Sequence, residues 1–222
     1  DTIGSSANTF GCNNPDFLSC TFLQNVERLH SYTWAQSGYL FGIYRFFESK
    51  YLMQNTLKIL LVRDIRDALT SHYFSMKYSH PLSVHNEQQR NFILNLRKKA
   101  HEMSIDEYVL ECAPRYRALY ERYAKYLLGK QNVCCVTYEE LVTDTTAWMQ
   151  RIVTDLQLPV SSSDIHSIVN KTDFSIDKEN AHSHKRQVLP GDHLRKLQPE
   201  TICKLDTELG DILKVFQYSV SA

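Results

Sequence analysis

A chain of 222 residues with 43% hydrophobic content has the length and composition of one globular domain with a sizeable core. Lysine plus arginine equals aspartate plus glutamate at 25 each, so no net field recruits nucleic acid or an anionic membrane. No apolar run approaches the ~18 residues of a membrane span and no basic-then-apolar leader opens the chain, so the expectation is a cytoplasmic protein unless a leader or anchor preceded Asp1.

Seven glycines are few for this length and point to a helix-rich chain with few tight hairpins. Residues 1–25, rich in Ser, Asn, Thr and Cys, read as loop followed by a short helix. The six cysteines form no C-x-x-C pair, so buried free thiols are expected, with Cys12–Cys20 the pair open to oxidation. His30 is the sole histidine of the first 71 residues. The aromatics Tyr39, Phe41, Tyr44, Phe46 and Phe47 suit either core packing or an apolar pocket.

Residues 59–62, Ile-Leu-Leu-Val, read as a strand buried on both faces. Arg63 and Asp64 interrupt it, and Ile65, Ala68, Leu69 and Tyr73 then recur at helical spacing. Strand, tight turn and helix make half of a βαβ unit, whose strand end is where open α/β sheets bind ligands. Arg63 places a guanidinium fork there, and Ser71 follows eight residues later with a hydroxyl. An ordinary strand–helix corner with a salt-bridging arginine accounts for the same string.

The polar interval 83–99 reads as a long connection, functional or disordered. His80, His85 and His101 lack metal-ligand spacing, and no metal site is expected. Ser104 and Glu107 form a capping-box pattern for a helix ending before Pro114, which opens a second helix closed by Gly129. Residues 132–138 read as a buried strand ending in Tyr138, with Glu139 and Glu140 starting a helix. Further helices are expected to end near Leu158-Pro159, to start after a Ser161–Asp164 cap, and to start at Pro199-Glu200. Between the last two lies a basic loop, Lys185-Arg186-Gln187-Val188-Leu189-Pro190-Gly191-Asp192-His193, in which Gly191 permits a turn other residues resist.

The string R-D-x-R-D-x-x-x-S after an apolar strand resembles the 3′-phosphate-binding segment of the PAPS-dependent sulfotransferases, with Arg63 and Ser71 at the family's spacing. V-T-Y-E-E-L resembles the family strand whose tyrosine, here Tyr138, approaches the nucleotide. Thr172-Asp173-Phe174 is similar to the segment that contacts adenine, and 186–193 resembles the R-x-G-x-x-G-D-W loop, with Val188 where a glycine is usual and His193 where a tryptophan is usual. The resemblance implies a three-layer α/β sandwich with a short parallel sheet, P-loop-kinase-like, over a single domain 1–222. It implies sulfuryl transfer from PAPS, leaving PAP, to a small-molecule or glycan acceptor with a hydroxyl or amine. Arg63, Ser71 and Arg186 would hold the 3′-phosphate, with Gln187 and Val188 in the closing loop, Tyr138, Thr172 and Phe174 about the nucleotide, and His30 as base. The family's phosphate-loop lysine has no clear counterpart near Gly4–Phe10, which leaves an impaired PAP- or PAPS-binding or protein-interaction domain as the alternative. A P-loop kinase would show G-x-x-x-x-G-K-[ST], which the chain lacks.

Overall fold

The computed structural model describes residues 56–82, 87–172, 174, 176, 178–183 and 185–220. His30, the aromatic stretch 39–47 and the Gly4–Phe10 segment lie outside the described residues. The chain falls into two compact units, Asp1–Thr56 with Leu82–Phe92, and Leu57–Pro81 with Ile93–Ala222. Of the first, the described residues are Thr56, Leu82 and the opening of helix α2 (Glu87–Glu102). The second carries the sheet and the other helices described here.

Strand β1 (Lys58–Val62) pairs in parallel with β2 (Val133–Thr137), in the register Ile59 to Cys134 and Leu61 to Val136. The expected short parallel sheet in a helix-rich chain is therefore present. Its faces differ from the expectation of a strand buried on both sides. Leu60 and Val62 are buried, whereas Ile59 and Leu61 are 44% and 47% exposed. Partners in a parallel register share a face, and the cover on the Ile59 face lies over β2, where Ile152 of α5 (Thr145–Asp155) and Leu156, which caps that helix, pack on Cys134 and Val136. Among the described residues, β1 keeps that face open.

The β1 strand feeds α1 (Ile65–Phe74), capped by Asp64, whose Oδ1 accepts from the Arg66 N–H at 2.9 Å. Ile65 and Leu69 have no exposed surface. A π-helical turn, Ser75–Ser79, extends α1 and turns Met76 into a cluster with Tyr73, Ala100 and Tyr108. The carbonyls of Met76 and His80 are taken up by the Arg97 guanidinium. The interval expected as a long connection is thus helical from Glu87: Ile93 and Ala100 on α2 are buried, and burial of such a stripe stabilises a helix that its polar composition hides.

Helix α3 runs unbroken from Ile105 to Tyr126, so Pro114 neither ends one helix nor opens the next. Its missing N–H costs about 3 kcal/mol. Tyr108, Val109, Ala113 and Tyr120 are buried on both sides of it, and at about 1.5–3 kcal/mol per large buried side chain that stripe outweighs the defect. The Ser104–Glu107 capping box forms as expected, and the turn after α3 contains Gly129 at φ +72°. Helix α4 (Tyr138–Thr143) leaves β2 directly, followed by α5 and by α6 (Ser162–Val169) with its Ser161–Asp164 capping box. A short helix, α7 (Asp192–Lys196), precedes α8 (Pro199–Val215), whose Leu205, Leu209, Ile212 and Leu213 face the core. Helices α1, α3 and α8 pack together behind the end of β1 and hold its corner in place.

Candidate nucleotide site

At the carboxyl end of β1 the backbone of Arg63 leaves the ladder, and a buried phenol replaces it. Tyr120 on α3 accepts from the Arg63 N–H at 3.1 Å and donates to the Arg63 carbonyl at 2.6 Å. Burial pushes the Tyr120 phenol well above its ordinary pKa, so it stays protonated for that second bond. The next N–H, of Asp64, donates to Glu139 Oε1 at 3.0 Å, and Glu139 Oε2 accepts from Tyr218 at 2.8 Å. Arg66 ties the same corner to the chain's far end. It forms bonds of 3.0 and 2.6 Å to the Asp64 carboxylate, 2.6 Å to Asp206 and 2.8 Å to the Ser219 carbonyl.

Held this way, the Arg63 guanidinium lies over the Tyr138 ring, with Cζ 4.3 Å from the centroid. Its Nε and Nη2 are buried without a hydrogen-bond partner. Asp67 Oδ2, the nearest ion-pair partner, is 3.9 Å away, too far for a hydrogen bond. Two buried donors of a permanently charged group, left unmet among the described residues, suit an oxyanion that accepts from a planar fork.

Opposite this corner runs the 186–193 loop. Tyr138 Oη donates to the Val188 carbonyl at 3.1 Å, so one side chain carries Arg63 on its face and the loop on its tip. Gly191 turns the chain at φ +76°, a left-handed conformation that favours glycine. The buried Asp67 carboxylate accepts from the Gly191 N–H at 2.7 Å, the His193 N–H at 2.9 Å and the His193 ring Nδ1 at 2.6 Å. Burial alone would raise the Asp67 pKa, but the His193 bonds and the charge of Arg63 bring it below the ordinary carboxylate value. Arg195 donates from two nitrogens to the carbonyls of Leu189 and Pro190, each at 3.1 Å, and stiffens the loop's outer edge.

The structure therefore gathers Arg63, Tyr138 and Val188. Arg186 joins them through Asp192, next to Gly191, but its guanidinium is committed: it bonds Glu179 and Asp192 and lies 4.1 Å above the Phe74 ring. Glu179 also takes the Lys196 ammonium at 2.8 Å; against a burial that raises its pKa, Lys196 and Arg186 together lower it. Gln187 accepts from the Leu189 N–H at 3.1 Å. Ser71 is half-buried in α1, eight residues from Arg63. Thr172 is exposed and donates to the Ile168 carbonyl at 3.0 Å, while Phe174 is half-buried.

Sequence reasoning missed the supports: Tyr120, Asp67, Glu139, Arg66 and Tyr218. Arg66 and Asp67 carried a signal as the second arginine and aspartate of R-D-x-R-D, and Glu139 as part of V-T-Y-E-E-L; Tyr120 and Tyr218 are set by packing between elements far apart in the chain. A neighbouring cavity of about 520 Å³ is lined by Asp64, Arg66, Asp67, Glu139, by Pro190, Gly191, His193 and Leu194, and by the tail 217–220. With three carboxylates to one guanidinium it does not suit a phosphate.

The pattern that defines the sulfotransferase domain family matches residues 44–200. No curated protein sequence matches the chain. Among solved structures, the chain is similar to mouse sulfotransferase SULT7A1 complexed with PAP, at 19% identity and a TM-score of 0.44 over 72% of this chain. It spans 58% of that protein's length. With the family pattern running from before β1 through the Arg63 corner, Tyr138 and the 186–193 loop to the start of α8, the chain belongs to the sulfotransferase family.

Proposed function

We propose that this chain binds PAPS and serves sulfuryl transfer to a hydroxyl or amine acceptor, a small molecule or a glycan, leaving PAP. The observation that carries the reading is the pair of unmet, buried Arg63 nitrogens at the end of β1, in a chain of this family. In this proposal Arg63 and Ser71 take the 3′-phosphate, the group that distinguishes PAPS from ATP-like nucleotides. Arg186 either shares that phosphate by exchanging Glu179 for it, or keeps the loop in place through Asp192. Tyr138 holds the Arg63 fork in its plane and tethers the loop, Gln187 and Val188 shape the loop's inner edge, and Thr172 and Phe174 lie toward the adenine. His30 takes the acceptor proton; a base within reach of the hydroxyl contributes about 10²–10⁴-fold.

The donor nucleotide supplies an activated sulfuryl group, and the chain's residues bind it, orient it and hold the proton acceptor. A cytoplasmic setting belongs to the same proposal; among the described residues Cys112, Cys134, Cys135 and Cys203 are free thiols. No helix among the described residues is long and apolar enough to cross a membrane. Calorimetry with PAP and with ATP-Mg²⁺ tests the reading, alongside transfer of radiolabelled sulfate from PAPS to a panel of phenol, steroid and glycan acceptors. PAP binding with transfer is expected. Preference for ATP-Mg²⁺ would discard the proposal, and PAP binding without transfer to any acceptor would reduce it to nucleotide binding.

A further inference from the structure

Helix α7 starts from a residue that cannot cap it. Gly191 has no side chain, and the N–H groups at the start of a helix need acceptors. The acceptor comes from another element: Asp67, in the first turn of α1 and 124 residues upstream of Gly191, supplies both oxygens. Oδ2 takes the Gly191 N–H, and Oδ1 takes the His193 N–H and its ring Nδ1. A carboxylate can only accept, so Nδ1 carries the proton. The Asp67 side chain is 0% exposed, so water does not compete for these bonds.

The same carboxylate stands one helical turn from Arg63, yet its Oδ2 is 3.9 Å from Nη2. The three bonds to the loop draw Asp67 away from the guanidinium, and the Arg63 fork is left with unmet donors instead of a closed ion pair. The loop is moored at two points, Val188 to Tyr138 and Gly191–His193 to Asp67, and Tyr138 itself lies under Arg63. Both moorings thus refer the loop to one guanidinium.

We propose that Asp67 is the positioning residue of the nucleotide site: by capping α7 from α1 it fixes the 186–193 loop relative to Arg63 and keeps the Nε and Nη2 donors of that arginine free of hydrogen bonds, and so sets how strongly a 3′-phosphate is recognised. The proposal rests on the reading of Arg63 as the 3′-phosphate anchor. Freed from the loop, an unconstrained Asp67 would close on Arg63 and compete with the phosphate. Removed, it would release Gly191 and let the loop drift.

The test compares the affinities of PAP and 5′-AMP, which differ by the 3′-phosphate, in the full chain and its Asp67→Asn and His193→Ala variants. Asp67→Asn keeps the shape but turns one acceptor into a donor facing N–H groups. His193→Ala removes only the ring bond and frees part of Asp67 toward Arg63. The expected result is a PAP-to-AMP affinity ratio at least fivefold lower in Asp67→Asn and about two- to threefold lower in His193→Ala, with AMP affinity itself unchanged. A loss confined to stability would lower neither ratio. An unchanged ratio in folded Asp67→Asn overturns the proposal. If that variant shows no cooperative melt, His193→Ala decides, and an unchanged ratio there overturns it. A wild-type chain that binds PAP no better than AMP fails the Arg63 reading itself, a result distinct from either.

Discussion

Replacing Arg63 by alanine removes the fork on which the nucleotide assignment stands. Two of its nitrogens, Nε and Nη2, are buried and unmet, and the side chain is 17% exposed, so little hydration is given up when an anion binds. Hydrogen bonds to charged groups contribute about 1.5–3 kcal/mol each. Taking the lower value for both donors gives about 3 kcal/mol, and at 1.4 kcal/mol per decade the PAP affinity should fall about 100-fold. Arg63→Lys keeps the charge but loses the planar fork, and about tenfold is expected. The fold should survive, since the lost stacking on Tyr138 is worth about 0.5–1 kcal/mol, a few degrees of melting temperature at this size. Titration calorimetry with PAP and 5′-AMP on wild type and both variants reads the effect, and the AMP affinity should move less than about threefold. Equal losses for PAP and AMP, or a PAP affinity that does not change, would refute the argument that this guanidinium reads the 3′-phosphate.

Tyr120→Phe deletes the one hydroxyl that serves both backbone groups of Arg63; at about 1–3 kcal/mol for unmet buried polar groups, the melting temperature should drop by about 2–12 °C, and an unaltered melt would contradict the assigned bonds. Arg66→Met removes the guanidinium that bonds both Asp64 and Asp206, for which a loss of about 3–5 kcal/mol is expected in urea unfolding; a change under 1 kcal/mol would show that these ion pairs are not shielded from water as described. His30→Ala should lower kcat by about 10²–10⁴-fold while leaving PAP affinity intact, and full turnover in that variant would assign the base elsewhere. The depressed pKa of Asp67 makes its contribution to stability fully present above the unfolded value near 3.8 and lost as pH falls through the lower folded value. Wild type should therefore lose stability on acidification through that window more steeply than Asp67→Asn, and parallel melting curves for the two would count against the Asp67–His193 linkage.

Much of this architecture can be read locally. The run 59–62, the charged break at Arg63-Asp64 and the helical spacing of Ile65, Leu69 and Tyr73 define β1, its corner and α1, because strand and helix periods differ and a buried stripe enforces each. The Ser104–Glu107 and Ser161–Asp164 boxes mark helix starts, since both partners lie within four residues. Gly129 and Gly191 mark turns, since their left-handed backbone is a property of the residue itself.

What escaped was decided by contacts between distant segments. Pro114 ends a helix by its local chemistry, yet α3 continues because Val109, Ala113 and Tyr120 are buried along one stripe, a gain no window around the proline contains. The polarity of 87–102 hides a helix whose Leu96 and Ala100 pack with Tyr73 of α1 and Tyr108 of α3. Arg63 and the loop at Arg186 are recognisable as sequence patterns, but which arginine keeps open donors depends on whether a carboxylate from elsewhere reaches it. Glu179 and Asp192 reach Arg186, whereas Asp67 is held back from Arg63 by a glycine and a histidine more than a hundred residues away. The residue types set which chemistry the site could have; packing, which allots each buried charge its partner, set where that chemistry is available.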